Sequence, residues 1–207
     1  AKVVIRNQKL YVNREEGFVG TAMKRDEYIA DCSDIDDIIV IRRDGKYSVS
    51  KVKDKAFFGK DILHVAGWKK GDERTVYNAI YLDGKSKVSY VKRFIVKSIT
   101  RDREYELTQG FAHSKITYLT VNPNGEAEKV FVLLRQLAKL KKLKIDLDFA
   151  DLAIKGRASK GNIVTKFPVK RIELKEKGES TLEARKVWFD QTVQRLNSDE
   201  RGRLVGS

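Results

Sequence analysis

The sequence predicts an all-β fold built from repeated, glycine-centred hairpins. Residues 38–52, IIVIRRDGKYSVSKV, join a β-branched apolar run to a basic, alternating strand through the tight-turn pair Asp44-Gly45. Units of the same order recur around Gly84, Gly125 and Gly161, and a weaker one centres on Gly17. From Gly45 onward the steps between these glycines are 39, 41 and 36 residues. Such a period is typical of radial repeats, in which each sheet buries a face against the next.

A meandering β-sandwich or barrel would also space its strands regularly. We favour the repeat, because the order of apolar strand, glycine turn and basic strand returns each time. The predicted hairpins span residues 9–25, 38–52, 79–93, 116–132 and 152–169.

Other segments carry weaker signals. Residues 133–144 are ambiguous. Their first half fits a helical stripe and stays open, whereas an alternating strand through Leu143, Ile145, Leu147 and Phe149 is predicted from their second half onward. Residues 183–197 fit a helix or a strand. Trp68 is expected to fill a gap between neighbouring sheets. The aspartates of residues 31–37 lack the spacing of a calcium loop and are expected to be solvated.

Composition limits the class of protein. The chain has 207 residues and no linker rich in Pro, Gly or Ser, so one domain spanning residues 1–207 is expected. A single cysteine, Cys32, excludes an internal disulfide and fits a reducing, cytoplasmic compartment. No apolar run approaches the roughly 20 residues of a membrane helix. No signal peptide is visible, and no membrane partner is expected.

Net charge is the strongest global signal. Lys plus Arg number 43 against 29 Asp plus Glu, which gives a net charge of +14 and a pI near 9.7. A surplus of this size attracts polyanions over a long range, and nucleic acid is the usual polyanion for a β-domain of this kind. Residues 155–177 are the most basic region.

No constellation of catalytic residues is visible. His64 and His113 are the only histidines, and neither lies in a motif that would pair it with Cys32 or a serine. One cysteine and two histidines make a poor zinc site. Phosphate-loop and dinucleotide-binding fingerprints are absent from the sequence. The sequence therefore indicates a binding module rather than an enzyme.

Three stretches carry a resemblance to a known family: residues 38–52, residues 78–94 (NAIYLDGKSKVSYVKRF) and residues 150–175 (ADLAIKGRASKGNIVTKFPVKRIELK). They closely resemble the C-terminal domain of the A subunit of bacterial DNA topoisomerase IV, in the gyrase A and topoisomerase IV A family. Bacteroidetes-type sequences are the nearest. The resemblance covers essentially the whole chain. It implies a β-pinwheel, a propeller-like ring of four-stranded antiparallel blades that exchange strands. The length supplies four or five blades, so a small, open or truncated ring is expected.

The resemblance also implies a function. The domain would be the non-catalytic part of a type IIA topoisomerase that binds and bends duplex DNA and helps to select DNA topology for strand passage. The catalytic tyrosine would lie outside this chain, so none of its eight tyrosines receives that role. The parent would be an ATP-dependent isomerase that uses ATP and Mg²⁺ in other domains, with no cofactor here. Its partners would be the B subunit of topoisomerase IV and a second A subunit.

Phosphate contacts are expected from basic side chains along the blade rims, largely independent of base sequence. The candidates are Lys46, Lys51, Lys85, Lys87, Arg93, Lys155, Arg157, Lys160, Lys166, Lys170 and Arg171.

One motif departs from the gyrase pattern. Gyrase carries a seven-residue box, Gln-Arg-Arg-Gly-Gly-Lys-Gly, that is needed for chiral wrapping. The nearest string here keeps only the third, sixth and seventh residue types, which favours topoisomerase IV over a supercoiling enzyme. This string is Lys155, Gly156, Arg157, Ala158, Ser159, Lys160 and Gly161.

Two other classes of function stay open at this stage. A propeller-like scaffold could use the same basic surface to bind an acidic partner protein. A hydrolytic enzyme on a propeller fold would need a cleft with convergent acids.

Overall fold

The computed structural model describes residues 7–179, which are almost entirely β-structure. Their only helix is a 3₁₀ turn, Phe149–Asp151, so this part of the chain has no helix able to cross a membrane. The strands are β1 Gln8–Asn13, β2 Phe18–Gly20, β3 Glu27–Cys32, β4 Asp37–Arg42, β5 Lys46–Lys51, β6 Ala56–Phe57, β7 Ile62–Trp68, β8 Val76–Leu82, β9 Ser89–Ile95, β10 Tyr105–Glu106, β11 Lys115–Asn122, β12 Lys129–Leu134, β13 Lys144–Asp148, β14 Lys155–Gly156, β15 Asn162–Thr165 and β16 Val169–Glu176.

These strands form four sheets. Sheet 1 has the order β3-β1-β2-β6, and sheet 2 has the order β10-β5-β4-β7. Sheet 3 runs β11-β8-β9, with both β14 and β15 pairing with β9, and sheet 4 runs β13-β12-β16. Every pairing is antiparallel except that of β14 with β9. The all-β prediction is therefore confirmed, and the number of sheets agrees with the lower of the two predicted blade counts.

The chain exchanges strands between sheets by one repeated rule. After the hairpin β4-β5 it crosses back to add β6 to sheet 1, and then returns to its own sheet as β7. After β8-β9 it adds β10 to sheet 2 and returns as β11. After β12-β13 it adds β14 and β15 to sheet 3 and returns as β16. Each added strand pairs with the second strand of the preceding hairpin and covers an edge that would otherwise be open.

Neighbouring sheets pack face to face, in the order 1-2-3-4. Strand β4 shows why its sequence is a continuous apolar run: Ile38 and Val40 pack toward sheet 1, whereas Ile39 and Ile41 pack toward sheet 3. A strand buried on both faces has no polar face to alternate with its apolar one. Within residues 7–179 no core cluster joins sheet 4 to sheet 1, so the sheets form an open arc.

The hairpin turns all lie on one edge of this arc, together with the chain segments that return from the exchanges. The first two of these segments pass over the turn of the preceding hairpin. The Phe58 amide donates to the Gly17 carbonyl at 2.7 Å, and the Leu107 amide donates to the Gly45 carbonyl at the same distance. We call this edge the turn rim. It consists of the hairpin turns 14–17, 43–45, 83–88 and 135–143 and the return segments 58–61, 107–114 and 166–168.

Two of the predicted hairpins are wrong. In residues 116–132 the two strands separate, because β11 pairs with β8 in sheet 3 while β12 begins sheet 4. In residues 152–169 both short strands pair with β9. The physical reason is competition for edges: the open edges of β8 and β9 are long-range partners that a local turn signal cannot reveal. The sheets also differ in size, with four, four, five and three strands.

The remaining segment predictions have mixed outcomes. The alternating strand predicted through residues 143–149 is confirmed as β13, which begins at Lys144. The preceding residues are the end of β12 followed by the loop 135–143. Trp68 lies in β7 and is buried, and its indole nitrogen donates to the Val96 carbonyl at 3.0 Å, so its predicted role between sheets 2 and 3 is confirmed. Residues 1–6 and the ambiguous segment 183–197 lie outside the described residues.

The close approach of the return segment makes Gly84 sensitive to substitution. A Cβ atom there would lie 1.8 Å from the Ala112 carbonyl oxygen. We expect Gly84→Ala to lower the free energy of unfolding by about 1–3 kcal/mol or more, since backbone must move to admit the methyl group. Urea unfolding measures this. Gly67→Ala is the matched control, because its methyl group would meet nothing within 4 Å. Equal losses in both variants would contradict the proposed crowding.

Candidate nucleic-acid interface

The turn rim of sheets 3 and 4 is strongly basic. The hairpin turns 83–88 and 135–143, with the return segments 107–114 and 166–168, contain seven Lys or Arg residues and a single acid, Asp83. Asp83 accepts hydrogen bonds from the Ser86 amide (2.9 Å) and hydroxyl (2.6 Å), so its carboxylate stabilises the turn 83–88 in which it lies. The adjoining strand ends add four cations, Lys115, Lys144, Lys170 and Arg171.

Part of this rim is concave. A cavity of about 510 Å³ opens between sheets 3 and 4, and no carboxylate lines it. Its floor is apolar and includes Leu82, Ile116 and Val169. Such a surface suits an anion of extended shape, because seven cationic residues line it and no acidic residue does. We call it the basic groove. Its cations are Arg43, Lys87, Lys115, Arg135, Lys166, Lys170 and Arg171.

Four of the eleven predicted DNA-binding residues line the basic groove: Lys87, Lys166, Lys170 and Arg171. All four are exposed. Arg171 also forms an ion pair with Glu173, which partly neutralises the positive charge that Arg171 presents to a ligand. Lys85 lies in the same hairpin turn as Lys87, with its ammonium 4.9 Å from the centre of the Phe111 ring.

Three other candidates lie in different surroundings. Arg93 has to be corrected, because it is 4% exposed and its guanidinium donates to the Gly125 carbonyl at 2.7 Å, inside the packing of sheets 3 and 4. Lys46 begins β5 directly after the turn 43–45, but its ammonium lies 3.5 Å from a Glu104 carboxylate oxygen. Lys51 is exposed at the far end of β5, away from the turn rim.

The segment Lys155–Gly161, which we call the box loop, runs from β14 to the start of β15 along the edge of sheet 3. Lys155 and Lys160 are exposed, whereas Arg157 is half-buried. The Arg157 guanidinium lies 4.4 Å from the centre of the Tyr105 ring. Gly161 has φ of +92°, and a Cβ there would lie 2.4 Å from the Val91 carbonyl oxygen. The fold of this chain therefore requires glycine at the last position of the box, because a side chain there would collide with the backbone of β9.

A buried lysine holds the box loop in place. The Lys92 ammonium donates to the carbonyls of Leu107 (3.0 Å) and Arg157 (3.1 Å), and the Tyr81 hydroxyl donates to the Lys160 carbonyl at 2.6 Å. Burial lowers the pKa of Lys92 to about 8. This lysine therefore acts as an internal donor that joins two exchanged segments.

Three groove residues were missed by sequence analysis: Arg43, Lys115 and Arg135. Each lies beside a hairpin turn or at a strand end, and they belong to three successive units of the repeat. Arg135 stands in an acid-free run of basic residues, 135–144, which is the one signal that could have found it.

Catalytic groups do not converge in the described part of the chain. Burial lowers the pKa of His64 to about 4, so this imidazole is neutral at ordinary pH. Cys32 is buried, and burial raises its pKa. Among residues 7–179 no group of three His, Cys, Asp or Glu side chains is placed to hold a metal ion.

Comparisons with known proteins agree with this architecture. A family model described as "Topoisomerase C-terminal domain, Bacteroidota" matches residues 9–177. The A subunit of DNA topoisomerase 4 from Borreliella burgdorferi is 25% identical over 175 residues, which are 84% of this chain and 26% of that protein. The chain thus spans about a quarter of the length of this curated relative.

A solved structure shows the same fold. The crystal structure of the C-terminal domain of DNA topoisomerase IV superposes with a TM-score of 0.52, covering 83% of this chain and 62% of that one. The sequence identity is 11%, so the likeness supports the fold alone.

The low pKa of Lys92 predicts a pH dependence of stability. The folded state loses this proton near pH 8, whereas the unfolded state keeps it to about pH 10.5, so the free energy of unfolding should rise with pH between these values. We expect Lys92→Met to remove part of that rise. Unfolding titrations at several pH values from 8 upward measure the slope. Lys70→Met, at an exposed position, is the control. An unchanged slope in the Lys92 variant would contradict the assignment.

Proposed function

The chain belongs to the family of topoisomerase C-terminal domains of the Bacteroidota, and on that premise we propose that it is a non-catalytic domain that binds duplex DNA along its turn rim. The observation that carries the proposal is the basic groove, where seven cations from three successive hairpin units line one concavity without a carboxylate. Lys and Arg at such positions neutralise phosphates and release counterions from DNA.

The shape of the arc supports bending of the bound duplex. Cations on successive sheets follow a curved edge, so a duplex must curve to reach all of them. Smooth bending of a 20–30 bp site by 40–90° costs on the order of 1–6 kcal/mol, which additional phosphate contacts can offset. Phosphates carry no direct sequence information, so the preference should be for DNA shape and topology rather than for a base sequence.

The domain is proposed to act within a larger protein. The curated relative is an A subunit of topoisomerase 4, about four times the matched length. We propose that the whole of residues 1–207 forms one domain of such an A subunit, in a cytoplasmic, ATP- and Mg²⁺-dependent isomerase that also contains a B subunit and a second A subunit. Here the domain would capture a DNA segment and help to select its topology, while strand cleavage would be carried out elsewhere.

The groove can be tested through the salt dependence of binding. If about 6–10 phosphates are neutralised, affinity for duplex DNA should fall roughly 10³–10⁵-fold between 50 and 200 mM salt. The triple variant Lys87→Ala, Lys166→Ala, Lys170→Ala should bind more weakly at every salt concentration. Its slope of log affinity against log salt should be smaller by about one for each lost contact.

The control for this triple variant is Lys69→Ala with Lys70→Ala, two exposed lysines at the opposite edge of the arc. A wild-type slope in the triple variant would remove the groove from the interface. A flat salt response in the wild-type protein would contradict DNA binding itself and favour an acidic protein partner.

The box loop is tested separately. Lys155→Glu with Lys160→Glu reverses two exposed charges and spares Arg157, whose guanidinium packs on Tyr105. We expect weaker binding to duplex DNA in a gel-shift assay and unchanged urea unfolding. Unchanged binding would show that the box loop has only the structural role that Lys92 and Tyr81 support.

A further inference from the structure

Apolar side chains stand exposed among the cations of the turn rim. Phe111 is 42% exposed in the return segment 107–114, and Phe167 is 47% exposed in the return segment 166–168. The first segment joins sheet 2 to sheet 3, and the second joins sheet 3 to sheet 4. The Lys85 ammonium lies 4.9 Å from the centre of the Phe111 ring, and Phe167 directly follows Lys166 in the chain. A phosphate-binding surface needs no phenyl rings, so their position calls for a contact of a different kind.

Backbone hydrogen bonds hold Phe111 in place in the return segment 107–114. Gly84 donates its amide to the Ser114 hydroxyl at 2.9 Å, and Ser114 donates its amide to the Phe111 carbonyl at 3.2 Å. His113 has φ of +65°, which turns the backbone sharply at this point. The Lys85 ammonium beside the ring places a phosphate-binding charge next to an apolar tip.

Phe167 is held just as firmly. Its amide donates to the Thr165 hydroxyl at 3.0 Å, and the following residue, Pro168, restricts its backbone to extended conformations. The Pro168 carbonyl accepts a hydrogen bond from the Arg135 amide at 3.0 Å, which ties this tip to the hairpin turn 135–143. Lys166 and Pro168, on either side of Phe167, both line the basic groove.

We propose that Phe111 and Phe167 are wedges that press against the base stack of the bound duplex and kink it at discrete steps. This inference rests on the proposed function and deepens it. The apolar surface of duplex DNA is the stacked bases, and proteins that bend DNA insert Phe or Leu between base steps at a cost of a few kcal/mol per step. Cations beside each ring would hold the phosphates of the step that opens.

The wedges give the domain a way to prefer certain DNA. Pyrimidine–purine steps unstack most easily, so they should sit at the two rings. Duplexes that are already bent or unstacked would need less deformation and would bind more tightly. Selection of DNA by shape would then arise at positions where no base edge forms a hydrogen bond with the protein.

The test uses a duplex with a dye at each end, to report bending, and with 2-aminopurine at a central TA step, to report unstacking. The wild-type protein should shorten the dye separation and raise the 2-aminopurine fluorescence. Phe111→Ala with Phe167→Ala should lose most of both signals and still bind duplex DNA, because the cations of the basic groove remain. Its salt slope should be somewhat smaller than that of the wild-type protein, since a straighter duplex reaches fewer of these cations. Phe111→Leu with Phe167→Leu should restore both signals, since leucine also acts as a wedge.

Phe57→Ala is the matched control, since this phenylalanine is 63% exposed in β6 of sheet 1 and does not line the basic groove. It should behave as wild type. If the double alanine variant binds, bends and unstacks DNA as the wild-type protein does, the wedges are disproved while DNA binding stands. If the wild-type protein binds no duplex, the proposed function fails and the wedges fail with it.

Discussion

Strand exchange between neighbouring sheets organises this fold. A two-stranded hairpin leaves backbone amides and carbonyls unpaired along its second strand, and the next unit satisfies them by crossing back. The returning segment is then fixed on the preceding turn by equivalent hydrogen bonds, Phe58 to Gly17 and Leu107 to Gly45. This arrangement forces the turns and return segments onto one edge, and it therefore decides which cations can act together.

Cations that look alike in the sequence have different roles in the fold. Lys92 and Arg93 are adjacent in β9 and both are buried, each donating to backbone carbonyls of exchanged or linking segments. Lys87 and Lys166 remain exposed and line the basic groove. Net charge measures the long-range field of the protein, but only the exposed class can meet phosphates. A count of positive residues in the sequence therefore overstates the number of cations that are available to bind a ligand.

The parts of the fold that were predicted correctly depend on local signals. Asp44-Gly45 and Asp83-Gly84 each join two strands that pair with each other, and their hairpins form as predicted. Asn124-Gly125 carries a similar signal, yet it links two sheets, because β11 pairs with β8. Turn chemistry fixes a change of chain direction, whereas the choice of partner strand depends on which edges are open at long range.

Turn residues, strand periodicity and composition were enough to predict the all-β class, the repeat period, the strongly basic character and four of the groove residues. Three features became visible in the folded chain alone: the exchange of strands, the internal position of Arg93, and the meeting of Arg43, Lys115 and Arg135 with the four predicted groove residues. The physical reason is that residues distant in sequence meet only once each sheet edge has found its partner, and that pairing is a property of the assembled arc rather than of any one segment.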